Sequence, residues 1–215
     1  MQAPTSSRPT FRIGADIGGT FTDVVLLGSD GRLLRRKLSS TPDDYGRAIV
    51  QGTLDLLADR GAAPEQVEDL VHATTVVTNT VLEAKGARSA LVTTAGFRDL
   101  LEMRRLRIPE MYNLQYEKPA PLVPRRRCFE VAERLGPGGV VWQPLEPASV
   151  EAVAERLAEE GVEAVAISLL HAYANPGHEI EVERILRARL GEGVYIARSS
   201  AVLPEVREYE RTSTT

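Results

Sequence analysis

Residues 16–23 read Asp-Ile-Gly-Gly-Thr-Phe-Thr-Asp, a run of mostly small polar residues between two apolar stretches. Gly18 and Gly19 carry no Cβ, so backbone N–H groups there can approach a phosphate closely and adopt positive φ. Thr20 and Thr22 add hydroxyl donors on either side of Phe21. Asp16 and Asp23 are hard oxygen groups of the kind that hold Mg²⁺, directly or through water. A phosphate chain needs both donors and a cation, and this run supplies both. The competing reading is a Gly-rich hairpin with ordinary turn chemistry. The run lacks the Gly-Lys-Ser/Thr of a P-loop and the three spaced glycines of a dinucleotide fingerprint.

A second constellation is His72-Ala73-Thr74-Thr75 with Asn79. It follows a predicted strand and opens a predicted helix, where Thr74 and Thr75 would sit among free amides. Contact with a transferred phosphate or a substrate amide is one reading; helix capping by a threonine is the other. His72 is either a general base and hydrogen bonder or a satisfied strand-end histidine. Arg104, Arg105 and Arg107 are either a clamp for a substrate carboxylate or solvated charge. His171 and His178 lie seven residues apart, with Glu179 as the one evident third ligand for a metal. A loop and helix-start motif is the favoured reading of that pair.

Composition bounds these readings. A chain of 215 residues, 43% hydrophobic and 26% charged, can bury a proper core. A net charge of -4 leaves no basic excess for a nucleic-acid partner. Arg125-Arg126-Arg127 reads as a solvated loop. The single cysteine, Cys128, permits no internal disulfide, which suits a reducing cytoplasm, and has no neighbouring histidine in sequence to make it a nucleophile. No apolar run approaches the ~18 residues of a membrane span. Residues 1–10 read as a disordered leader.

The elements that must position these residues follow from pattern. Strands are predicted at Phe11–Ile17, Val24–Gly28 and Leu33–Leu38, with Asp30-Gly31 as a hairpin turn. A helix is predicted from Thr41-Pro42 to Gly61, a short strand at Leu70–Ala73 and a helix at Val76–Ala84. Strand Ser89–Thr94 and helix Phe97–Met103 precede a proline-rich excursion, Arg107–Pro124, the expected place for a substrate-shaping loop. Phe129–Arg134 is an extended segment and Gly136–Gly139 a turn cluster. Helix Pro147–Glu160, strand Ala164–Leu170, helix Pro176–Leu190 and strand Val194–Arg198 imply parallel pairing with crossover helices.

A phosphate loop closed by two strands resembles the first phosphate motif of the actin-like ATPases. The resemblance narrows through "DIGGTFTDVV", "VHATTVVTNTVLEAKGARSALVTTAGFRDLLEMRR", "HAYANPGHE" and "VLPEVREYERTSTT". These are similar, in order and spacing, to the N-terminal region of the hydantoinase A / 5-oxoprolinase family, which includes ATP-binding subunits of acetone carboxylases. The resemblance implies an α/β fold: an actin-like ATPase (ribonuclease H-like) N-terminal lobe with an additional α/β subdomain. It implies ATP and Mg as cofactors, and opening of a cyclic amide, hydantoin or 5-oxoproline, after phosphorylation of its carbonyl oxygen. It also implies a hydantoinase B-type partner subunit or domain, with no nucleic acid and no membrane. Asp16, Asp23, His72 and Asn79 would be catalytic. Gly18, Gly19, Thr20, Phe21, Thr22, Thr74 and Thr75 would bind the nucleotide, with Asp16 and Asp23 at the metal. Arg104 and Arg105 would meet the substrate. One departure is Ala73, where the family usually has glycine.

The alternatives are an ATP-using subunit of an acetone-type carboxylase and a non-catalytic binding lobe. The expected organisation is one domain over 11–200, with a candidate subdivision near 136–146, and a truncated second lobe starting at 201–215. Glu208, Tyr209, Glu210 and Arg211 would then dangle. No second phosphate loop and no adenine pocket is evident, so the chain is expected to be one lobe with half an ATP site. It would bind Mg-ATP weakly and turn over nothing alone.

Overall fold

The computed structural model describes residues 9–215; most of the expected leader lies outside the described residues. Pro9 and Thr10, which belong to that leader, are tied down instead. The Pro9 carbonyl accepts from Gln66 Nε2 at 2.7 Å, and Thr10 N–H donates to Ser29 Oγ at 3.2 Å. The chain divides between Lys85 and Gly86 into two compact units, each with its own core.

The first unit comprises β1 (Phe11–Ile17), β2 (Phe21–Gly28), β3 (Leu33–Ser39), α1 (Tyr45–Asp59), β4 (Val67–Thr74) and α2 (Val76–Leu82). Its sheet order is β3-β2-β1-β4, with β1 antiparallel to β2 and parallel to β4. β1 alternates strictly: Phe11, Ile13, Ala15 and Ile17 are buried, while Arg12, Gly14 and Asp16 face away. α1 covers the buried face through Ile49, Leu56 and Leu57. Gly52 lets that helix approach: a Cβ there would lie 2.7 Å from Leu38 Cδ1 and 2.8 Å from Val24 Cγ2. The Asp30-Gly31 turn forms as expected, with Gly31 at φ 78°. α1 starts later than predicted, because Asp44 rather than Thr41 caps it, accepting from Gly46 N–H at 3.0 Å.

The second unit comprises β5 (Ser89–Thr94), α3 (Leu100–Met103), β6 (Cys128–Val131), β7 (Arg134–Leu135), β8 (Val141–Gln143), α4 (Pro147–Glu159), β9 (Ala164–Ser168), α5 (Gly177–Leu190), β10 (Tyr195–Arg198), α6 (Ser199–Val202) and α7 (Glu208–Thr214). Its main sheet runs β10-β9-β5-β6, all parallel as anticipated. Helices cover both faces. Ala90, Val92, Val165, Ile167 and Ile196 pack beneath α4 and α5, while Leu91, Cys128 and Ala166 pack with Leu101 of α3 and Tyr209 of α7.

Two expectations change here. The Gly136–Gly139 cluster lies inside the second unit, as the turn between β7 and β8, and Leu135 before it is completely buried. The terminal segment does not dangle. Arg211 is 0% exposed and donates to Leu169 O and Glu205 O at 2.8 Å each, and to Ser199 Oγ at 3.1 Å. Among the described residues, no helix is long and apolar enough to cross a membrane.

Candidate functional site

The β1–β2 bend is a three-residue link, Gly18-Gly19-Thr20, closed by Gly18 N–H donating to Phe21 O at 2.9 Å. Gly18 and Gly19 do not adopt positive φ, contrary to the sequence argument. What they supply is room. A Cβ on Gly18 would sit 3.0 Å from Phe21 O, and one on Gly19 would sit 3.5 Å from Asn79 Nδ2. Among the described residues the N–H groups of Gly19 and Thr20 find no acceptor. Exposed donors left unpaired at a tight bend are available to a ligand.

Thr22 plays a different part from the one expected. It is 0% exposed, and its hydroxyl lies 3.0 Å from Ser40 Oγ, which donates to Gly18 O at 2.7 Å. Ser40 N–H in turn donates to Thr20 O at 2.9 Å. Thr22 and Ser40 therefore brace the bend from behind. Ser40, just past the end of β3, carried no sequence signal of its own. Phe21 is half exposed, and Lys37 Nζ lies 5.1 Å from its ring centroid.

Register decides which carboxylates share a face. Asp16 pairs with Asp23 across β1–β2 and with Ala73 across β1–β4, so all three lie on the sheet face opposite α1. Gly14, on the same face, has nothing within 4 Å of where its Cβ would be, so that surface is open beside Asp16. Asp16 makes no hydrogen bond or ion pair among the described residues, whereas Asp23 pairs with Lys37 Nζ at 3.1 Å. Two carboxylates are too few to cage Mg²⁺. They suit an ion that keeps several waters and takes further ligands from phosphate.

His72 pairs with Ala15, so it lies on the face opposite Asp16 and Asp23 and is not brought to them. Thr74 is consumed by the fold: its hydroxyl donates to Ile17 O at 3.2 Å and accepts from Val76 N–H at 3.2 Å. Thr75 occupies the N-cap position of α2 without a side-chain cap bond. Asn79, one turn on, borders a cleft of about 420 Å³ together with Gly19, Thr20, Tyr45, Thr80 and Lys85. Lys85 was not singled out from sequence. It adds a cation to that cleft, and its hydrogen bond to Glu83, 2.7 Å away, raises it above the usual lysine range.

Arg104 and Arg105 belong to the second unit, and both are engaged. Arg104 Nη2 donates to Pro119 O, and Arg105 Nε donates to Glu210 Oε1 at 2.6 Å. They therefore form no open clamp. The excursion they precede is also held at Lys118, whose Nζ reaches Glu102 Oε2 at 2.6 Å. Burial pushes the Cys128 thiol up to about 11, in keeping with a structural cysteine. No group of three or more His, Cys, Asp or Glu side chains among the described residues is arranged to hold a metal, so His171 and His178 are not half of such a centre.

The sequence profile of the hydantoinase/oxoprolinase N-terminal region matches residues 12–190. The chain is 34% identical over 215 residues to caprolactamase subunit alpha of Pseudomonas jessenii, covering 97% of this chain and 31% of that one. It is 31% identical over 231 residues to 5-oxoprolinase 1 of Arabidopsis thaliana, covering 93% and 18%. The nucleotide-free structure of an acetone carboxylase, from work on ATP-dependent acetone carboxylation, superposes with a TM-score of 0.88 at 28% identity, over 97% of this chain and 32% of that one. The chain thus spans a third or less of the length of these relatives.

Proposed function

The chain belongs to the hydantoinase/oxoprolinase N-terminal family and has the α/β actin-like fold of its relatives; from that premise we propose that it is the ATP-phosphate-binding part of an ATP-dependent cyclic-amide hydrolase. The observation that carries this reading is the braced bend whose Gly19 and Thr20 amides have no acceptor among the described residues, beside the open carboxylate of Asp16. Bound Mg-ATP supplies the phosphoryl group that makes a resonance-stabilised amide carbonyl electrophilic enough for water. The residues of this chain hold and neutralise that charge. The two amides would donate to phosphate oxygens, Asp16 and Asp23 would hold Mg²⁺, and Lys85 lines the cleft that Gly19 and Thr20 also border. Asn79 lies where it can hydrogen-bond a phosphate or the amide. The work is positioning and charge neutralisation rather than covalent chemistry by the protein.

The relatives' names support this reading: a caprolactamase and a 5-oxoprolinase each act on a ring amide, and the structure of the former is described as ATP-dependent. The designation "subunit alpha" supports a second, hydantoinase B-type component as partner. The superposition on acetone carboxylase favours a second reading, in which the phosphorylated species is a ketone or bicarbonate.

One assay separates the two readings. Phosphate release by the native polypeptide carrying these residues, together with its partner, is followed with hydantoin, 5-oxoproline, or acetone plus bicarbonate. The proposal expects release that depends on a cyclic amide and is abolished by Asp16→Ala with the fold intact. Release that depends only on bicarbonate and ketone selects the carboxylase reading. Full activity of Asp16→Ala removes Asp16 from the mechanism.

A further inference from the structure

The second unit has a topology with its own chemical consequence. In order of appearance its parallel strands are β5, β6, β9 and β10, and across the sheet they run β6-β5-β9-β10. That is the doubly wound order 2-1-3-4. In such sheets the crevice that binds ligands opens at the carboxyl ends of the first and third strands, where the winding direction reverses. Here those ends are Thr94 on β5 and the Ser168–His171 segment leaving β9.

A buried polar relay occupies that edge. Glu133, just past the end of β6, is 1% exposed. Its Oε1 contacts Thr94 Oγ1, and its Oε2 lies 2.7 Å from His178 Nδ1 in the first turn of α5. Thr94 Oγ1 already accepts from Leu170 N–H at 2.9 Å, so its own proton is free for Glu133. An ionised carboxylate offers only acceptors. Against Glu133 as a carboxylate, His178 donates from Nδ1, and Nε2 is then the ring nitrogen with the free lone pair. That nitrogen has no partner among the described residues, yet it is not among the buried unpaired atoms, so it reaches solvent. A carboxylate fixing one imidazole nitrogen so that the other can act as a base is the arrangement of acid–base catalysis. A second irregularity lies at the same edge. His171, where the chain leaves β9, has φ 55°, and its Nδ1 is buried with no partner among the described residues. Strained, unsatisfied residues of this kind concentrate at functional sites.

We propose that the carboxyl edge of the second unit is an acid–base site of its own, in which His178 Nε2 accepts the proton of a small ligand carrying a neutral N–H or O–H. Glu133 and Thr94 are its positioning residues. The proton passes from ligand to Nε2, the ligand is left as its anion, and the imidazolium is balanced by the Glu133 carboxylate. This site does not rest on the phosphate-binding reading, since all its residues are in the second unit.

Long-range ¹H–¹⁵N NMR on the 215-residue chain tests it, above the titration range of the rings. The three histidines are assigned with His72→Gln, His171→Gln and His178→Gln. His178 is expected as the Nδ1–H tautomer. Its Nε2 resonance should shift on titration with hydantoin, used as a neutral N–H donor, while His72 stays still. Glu133→Gln should collapse the tautomer preference, a signature that a merely structural glutamate would not control. An Nε2–H tautomer in the wild-type chain overturns the proposal without any variant having to fold. So does a His178 resonance that hydantoin leaves unmoved up to its solubility limit.

Discussion

Gly19 and Asp16 are where the proposed phosphate site is most exposed to test. Gly19 is tolerant in the folded chain, since its φ is ordinary and a Cβ would only touch Asn79 Nδ2 at 3.5 Å. Gly19→Val should therefore leave the thermal midpoint nearly unchanged, as surface substitutions do. Its branched side chain would stand over the free amides, so Mg-ATP affinity measured by calorimetry should fall about tenfold or more. Equal affinity would show that the bend is only a turn. Cys128 gives an independent check on the second core. With its thiol pushed up to about 11 from 9.0, it binds its proton more tightly folded than unfolded. The stability this contributes is complete below pH 9.0 and is lost as pH rises through about 11. At pH 9 alkylation by iodoacetamide should be roughly fiftyfold slower in the native chain than in urea, from thiolate content alone. Comparable rates would mean an open core.

At the scale of elements, the hairpin and the terminal helix contrast in how readable they were. β1, β2 and the Asp30-Gly31 turn were legible because alternation and turn chemistry are local signals, and the phosphate-like run lay between them. The brace behind the bend was not, because Ser40 lies 22 residues from the Gly18 carbonyl it serves and only the β2–β3 register brings them together. The same register placed Thr22 inward, and the β1–β4 pairing sent His72 to the face away from Asp16. Single residues without sheet register cannot reveal such choices. α7 was missed for another reason: a Glu-Tyr-Glu-Arg run reads as solvated, yet Arg211 is buried and satisfied by two backbone carbonyls and Ser199. Ser199 also donates to buried Glu179 at 2.5 Å, so a single deletion leaves several polar groups unpaired. Arg211→Ala should cost about 3–5 kcal/mol in urea unfolding monitored in the second unit. A loss below ~1 kcal/mol would show that α7 is held by its apolar contacts alone.

For the molecule as a whole, pattern and resemblance together gave the α/β class and the parallel second sheet. The division between Lys85 and Gly86 was not legible, because the glycine-rich turn at 136–139 is the stronger local signal but closes a hairpin inside one unit. The central claim is that the first unit presents a phosphate site at its β1–β2 bend. It is tested most directly by following the backbone amides of the chain by NMR during a Mg-ATP titration, in wild type and Asp16→Asn. The account predicts the largest shifts at Gly19 and Thr20, smaller ones at Asn79 and Lys85, and a marked weakening in Asp16→Asn. Shifts that spare Gly19 and Thr20, or that are unchanged by Asp16→Asn, would contradict it.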